Sequence, residues 1–447
     1  MALGGGMYTV QNKVLPGAYI NFVSAARASA TLGDRGTAAF PLSLDWGPEN
    51  EVVTIENSEF QKGSLALTGY AYTADELRPL REIFANDKTL HLFRLNSGGA
   101  KAACKYAEAA CKYAEAKYPG KIGNELKIVI QQNEGFTAST NEVYDVSTYI
   151  GTTLVDTQKA VKAVADLSDN DYLHWKGSEA LTENAGLLLT GGTTGAVQDA
   201  AYQTFLDKIE PYSFNAVGCD TKNSTVKGLF ANWTRRLRDE QGVKFQCVLH
   251  NYPAADYEGV ISVKNGLVGA SDDPSAVYWT TGAESACAVN RSMTNSTYTG
   301  EYDIDTNYTQ TQLEKAIKAG EFTFHRVGDQ TRVLTDINTF VSVTDEKSAD
   351  FSSNQVMRVL DQIANDIASL FNSKYLGKVQ NDASGRVSLW SDIVAHHNQL
   401  QTIRAIENFD SSSVTVSQGD MKKSVAVEDH VQPVSAMEQL YMKVIVE

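Results

Sequence analysis

The chain has little of what catalysis, secretion and nucleic-acid binding use. Of 447 residues only seven are His, five are Cys and nine are Pro, and 39 basic residues stand against 54 acidic ones. The formal charge of −15 repels a phosphate backbone, so no nucleic-acid partner is expected, and it aids solubility. No apolar run approaches the roughly 20 residues that cross a bilayer, so membrane insertion is not expected either. The segment 1–7 lacks the basic stretch and apolar core of a secretory signal. The expectation is a chain made and kept in a cytosol, or leaving it by lysis. Cys104, Cys111, Cys219, Cys247 and Cys287 are scattered and odd in number, which favours free thiols over a disulfide framework.

Local signatures of chemistry are also missing. There is no Gly-x-x-x-x-Gly-Lys, no Gly-x-Gly-x-x-Gly and no Gly-x-Ser-x-Gly. Gly191-Gly-Thr-Thr-Gly195 precedes a helix and has the form of an anion cradle, but without a following Lys it reads as a tight turn. Asp303-Ile-Asp-Thr-Asn matches the first ligand positions of a calcium loop and Glu314 the last. Tyr308 stands where that loop needs Gly, and Thr309 or Thr311 capping a helix uses the same residues. His91 reads as structural. Cys247 and His250 sit on opposite faces of a strand, and His396 and His397, adjacent on a helix, are expected to point apart. No catalytic, metal-binding or cofactor-binding residue is assigned, and no cofactor is expected.

What is present is strand text at both ends. Met7–Val14 and Ala18–Phe22 flank Pro16-Gly17, and the last seventeen residues, Val431 to Glu447, finish on strand formers with no turn after them. Unpaired strand groups invite pairing with another chain. The two segments therefore read as arms that add strands to neighbouring copies. The arm residues singled out are Tyr8, Val10, Val14, Pro16, Gly17, Ile20 and Phe22, and Val431, Pro433, Met437, Leu440, Met442, Val444 and Val446. The prolines suit points where strands leave a body.

Between the arms the periodicities divide the chain into a small β-rich domain (23–96), an α/β middle domain (97–326) and an α+β C-terminal domain (327–430), with arms over 1–22 and 431–447. Short strands are predicted at 38–44, 51–55, 89–95, 127–130, 213–217 and 245–249. Helices are predicted at 73–84, 157–167, 196–209 and 225–240. Val356, Val359, Leu360, Ile363, Ile367, Leu370 and Phe371 form the clearest helical stripe, followed by a helix over 388–406 and strands at 414–416 and 425–427. The repeat Ala102–Ala109, doubled as Ala109–Ala116, predicts a helix with Cys104 and Cys111 on one face.

Several segments resemble the contractile tail sheath family of bacteriophages and phage-tail-like particles, in particular R-type bacteriocins and defective prophages of Gram-positive bacteria. They are Val14–Phe22, Ala116-Lys-Tyr-Pro-Gly-Lys-Ile-Gly-Asn124, Leu189–Gly195, Asp336-Ile-Asn-Thr-Phe340 and Val431–Met442. The alanine-rich repeat departs from the family pattern. The resemblance implies a middle domain of subtilisin-like topology, here without Gly-Thr-Ser or His-Gly-Thr motifs, and a structural rather than enzymatic role. It implies stacked six-membered rings of this chain around an inner tube, with baseplate and tail terminator proteins as further partners. It also implies arms that complete a small sheet on a neighbour's C-terminal domain, and contraction that drives the tube through a bacterial envelope. Two other readings stay open at this point: an α/β hydrolase-like enzyme whose terminal strands pair within its own fold, and another viral tube or capsid protein.

Overall fold

Strands in the larger part of the chain are buried on both faces, which calls for cover on each side. A computed structural model describes residues 32–104, 113–138, 141–178 and 180–446. It separates the chain into two units. The larger includes 34–362 and 433–446, and the smaller includes Ile363–Gln432 and Gly33.

The body of the larger unit is a seven-stranded sheet in the order Glu321–Phe322, Val260–Val263, Gln246–His250, Ala216–Cys219, Thr37–Leu42, Thr89–Arg94 and Val52–Glu56. All pairings are parallel except the last, which is antiparallel. Period-two alternation feeds two cores. Phe40, Leu90, Leu92, Val248, Ile261 and Val263 face one, packed by the helices Arg78–Phe84 and Ala276–Ala286. Ala39, Phe93, Val217, Cys247, Leu249 and Val260 face the other, packed by Asp199–Ile209 and Ser224–Arg235. Gly282 lets helix and neighbour touch, since a Cβ there would lie 2.1 Å from the Ile83 carbonyl oxygen.

A second sheet of seven strands is wholly antiparallel, in the order Thr153–Val161, Tyr144–Ile150, Leu126–Gln132, Asn184–Thr190, Ala103–Cys104, Ala114–Ala116 and Leu173–Trp175. Tyr144–Ile150 buries every second residue, and the inward side chains join Trp46, Ile128 and Leu173 in a third core. The smaller unit packs Leu370, Tyr375, Leu389, Ile393 and Val414 between the end of the helix Asn354–Leu370, the helix Ala383–Thr402 and a hairpin, Val414–Gln418 with Val425–Asp429.

The multidomain α/β expectation holds, but two domain limits do not follow the sheets. The strands expected in a separate 23–96 domain join those of 216–322, through Ala38↔Ala216 and Ala39↔Val217. The antiparallel sheet of 103–190 stands apart from that α/β layer. Two predicted helices are strand in part. The stretch 157–161 pairs with Tyr144–Ser147, and the described ends of the repeat, Ala103–Cys104 and Ala114–Ala116, pair into the antiparallel sheet. Cross-strand neighbours outweigh the helix preference of Ala and Lys in both places. Cys111 lies outside the described residues.

Buried carboxyls fasten the parallel sheet to its helices. Asp87 accepts from the Ala38 amide at 3.0 Å and from the Ser285 hydroxyl at 2.7 Å. Burial pushes its pKa up to about 7 against those bonds, and burial together with the nearby Asp336 pushes Glu284 to about 8. Both folded values lie above the ordinary carboxylate range. The stability they contribute is therefore fully present below that range and lost as pH rises through about 7 to 8. The melting temperature should fall between about pH 5 and pH 8, and Asp87→Asn should flatten that slope. A thermal-shift pH series in which the variant is equally steep would contradict the assignment.

Candidate assembly surfaces

The hairpin of the smaller unit consists of two five-residue strands in register from Val414↔Asp429 to Gln418↔Val425, and their outward residues are mostly exposed. Two strands alone are marginal in water. Here the Ala383–Thr402 helix supports them: Trp390 Nε1 donates to the Val414 carbonyl at 3.0 Å, and Val414 joins the small core. Among the described residues, both outer edges of this ribbon lack a partner strand.

A buried histidine pair lies beneath the same ribbon. His396 and His397 are both essentially unexposed, with their Nδ1 atoms 3.2 Å apart. His396 Nε2 lies 2.9 Å from Asp366 Oδ2, and His397 Nε2 lies 2.7 Å from Asp429 Oδ2. The expectation that adjacent helix positions send these rings apart is therefore overturned. Burial leaves each ring only one polar direction besides its carboxylate, and that direction is the other ring. The chain of bonds ties two helices to the last residue of the hairpin. Three residues further on, the Gln432 side chain donates to Glu407 Oε1 at 3.0 Å and accepts from Asn408 at 3.2 Å.

Of the expected C-terminal arm residues, Val431 and Pro433 are half-buried. Met437, Leu440, Met442, Val444 and Val446 expose between 71% (Val444) and 103% (Met437) of their reference area, and residues 434–446 belong to no strand. Tyr441 and Ile445, not singled out from the sequence, are exposed as well. Residues 440–446 thus carry apolar groups at odd and even positions, which is the pattern of a strand buried on both faces. The arm residues Tyr8, Val10, Val14, Pro16, Gly17, Ile20 and Phe22 lie outside the described residues.

The motifs weighed for chemistry have structural employment. In the Gly191–Gly195 turn, Thr194 Oγ1 donates to Asp45 Oδ1 at 2.9 Å, Gly192 exchanges bonds with the Asn124 side chain, and Asn96 donates to the Gly195 carbonyl. A Cβ on Gly195 would sit 1.9 Å from the Ser97 carbonyl oxygen, so Gly serves close packing there. Thr309 and Gln312 form a capping box, and Asp305 accepts from the Asn307 amide. His91 bonds Thr54 Oγ1 at 2.9 Å, as a structural histidine does.

Among the described residues, the ribbon's outer strand edges and the apolar run 440–446 are thus left uncovered. Comparison with known proteins places the chain more narrowly. Sequence models of the phage tail sheath family match in series: the domain III N-terminal region of tail sheath protein Gp18 over 35–95, the β-sandwich domain over 97–194, the central domain over 195–339 and the C-terminal domain over 346–447. The phage-like element PBSX protein XkdK of Bacillus subtilis (strain 168) is 31% identical over 99% of both chains. The crystal structure of a sheath tail protein from Desulfitobacterium hafniense superposes with a TM-score of 0.80 at 38% identity, covering 96% of this chain and 99% of that one. The contracted helical sheath of the anti-feeding prophage shares the fold, with a TM-score of 0.56 at 11% identity over 96% and 98% of the chains. The chain belongs to the phage tail sheath family.

The histidine chain yields a test of the ribbon's support. His397→Ala should leave Asp429 Oδ2 without its partner and open a void, lowering stability by about 3 kcal/mol. Urea unfolding would measure this, and a loss under about 1 kcal/mol would assign the ribbon's anchorage elsewhere.

Proposed function

We propose that this chain is the subunit of a contractile tail sheath that polymerises helically, as stacked six-membered rings, around an inner tube. The observation that carries the reading is a pairing of deficits among the described residues: an apolar C-terminal run without a partner strand, and a two-stranded ribbon whose outer edges have none. A run from one subunit added to the ribbon of the next satisfies both, and an arm from residues 1–22 of another subunit takes the second edge. Each added-strand hydrogen bond contributes about 1 kcal/mol net, so arms tether subunits while their bodies re-pack. The contacts are heterologous and do not close, which is the symmetry that produces filaments.

Contraction in this reading needs no nucleotide. Burying about 500 Å² more apolar surface per subunit gives about 12 kcal/mol gross at ~25 cal/mol/Å², before ordering costs. The extended sheath is a kinetically trapped state, and a trigger at one end releases it. The subtilisin-like parallel layer acts as a body without peptidase chemistry, and the role is structural rather than enzymatic. The C-terminal domain faces the tube; baseplate and tail terminator proteins bound the polymer at its ends. Synthesis and assembly take place in the bacterial cytoplasm, with release by lysis.

Removing Met437–Glu447 should leave a soluble, folded subunit with the parent's circular dichroism that forms no long sheaths. Negative-stain images of the parent should show cross-striated hollow cylinders. Cylinders of normal length from the truncated chain would defeat the strand-exchange mechanism.

A further inference from the structure

The C-terminal run is not free along its whole length. Thr294 Oγ1 donates to Glu438 Oε1 at 2.6 Å and Thr335 Oγ1 donates to Glu438 Oε2 at 2.8 Å, so two hydroxyls hold one carboxylate. Two residues earlier, the Ala436 amide donates to Gln355 Oε1 at 2.9 Å, and Gln355 is buried. Behind this clamp lies the most deeply buried charge cluster of the larger unit. Thr294 Oγ1 also accepts from the Asp336 amide at 2.9 Å, and Asp336 Oδ2 receives Arg358 at 2.7 Å. Beyond Glu438 the situation reverses. Among the described residues, 439–446 make no hydrogen bond to the rest of the unit, only one within the run, from the Tyr441 hydroxyl to Gln439.

We propose that Glu438 is the positioning residue of the C-terminal arm: it holds the arm's root on its own body, and the strand given to a neighbour begins at Gln439. The proposal rests on the strand-exchange reading above and adds to it the border between the retained and the donated parts. The carboxylate suits that place because it sits on the surface, accepts two hydroxyls at once, and is backed through Thr294 and Asp336 by Arg358. The denser apolar run, Leu440 to Val446, follows the border, with Met437 an exposed apolar residue just before it. At ~3.3 Å per residue an extended run 439–446 spans about 26 Å from the clamp. A clamp that fixes the root's position and heading also lowers the entropy lost when the strand docks.

The test uses the full-length chain with Glu438→Ala and Glu438→Gln. The alanine variant should melt at the parent's temperature and lose hydrogen-exchange protection at the Ala436 amide in the unassembled subunit. It should also raise the subunit concentration needed for sheath growth about tenfold. Glu438→Gln keeps an oxygen acceptor and presents an amide to the second hydroxyl, so it should recover most of the protection and of the growth. Unchanged Ala436 protection in the alanine variant, or sheath growth at the parent's concentration, overturns the clamp. A deletion of 439–447 separates the two layers of argument. If that deletion still grows sheaths, strand exchange itself fails; if it abolishes growth while Glu438→Ala grows normally, exchange stands and the clamp alone fails.

Discussion

The guanidinium of Arg358 is completely withdrawn from solvent and sits between Glu284 and Asp336, themselves buried. Such an ion is costly to desolvate and is tolerated when its charge is paired; here both terminal nitrogens are met, while Nε has no hydrogen-bond partner. Meeting them determines the surroundings. Asp336 also accepts from the Met293 amide and the Asn354 side chain, Asn354 accepts from Gln246, and Asp361, one helical turn beyond Arg358, takes Arg238 through two bonds at 2.7 and 2.8 Å. The first half of the Asn354–Leu370 helix is therefore seated by directional polar bonds. An apolar stripe can slide by a turn at modest cost, whereas a fork of charge-assisted bonds accepts one register. That register places Gln355 and, through Asp336, Thr294 and Thr335 at the root of the C-terminal arm.

Much of this architecture was legible as alternation. Strands such as Thr89–Arg94, Leu126–Gln132 and Val425–Asp429 lie where β-branched and aromatic residues recur, and the helix from Asn354 follows its apolar stripe. What was missed has physical reasons. The helix Asn57–Thr68 buries only Phe60, Ser64 and Thr68, a correct four-residue spacing in which two of three members are polar, so no apolar period shows. The helix Ala276–Ala286 buries its first ten residues and thus has no wet face to mark a period. The stretch 157–161 carries Gln, Lys and Ala, and only its neighbour across the ladder decides for strand.

The contacts around the ends of the chain were not legible in detail. Leu440, Met442, Val444 and Val446 are exposed, and so are Tyr441 and Ile445, which the sequence reading did not single out. Which of the described strands pair with the hairpin depends on the whole fold, and no local pattern carries that information. Glu438 and Thr294 are 144 residues apart, and the two histidines meet only because Asp366 and Asp429 draw their outer nitrogens to opposite ends. Pairings of this kind belong to the fold and not to any window of residues.

The parallel layer, clothed on both faces by close-packed side chains, has a mechanical corollary. Interiors at crystal-like density compress little and pass strain onward. Under load such a block behaves as a stiff brick, and its elasticity counts for little beside that of the thin mortar between bricks. Under the proposed strand exchange, whatever stroke the cylinder delivers is set by how far those slender joints pivot, so the throw of the machine is a matter of linker length and angle.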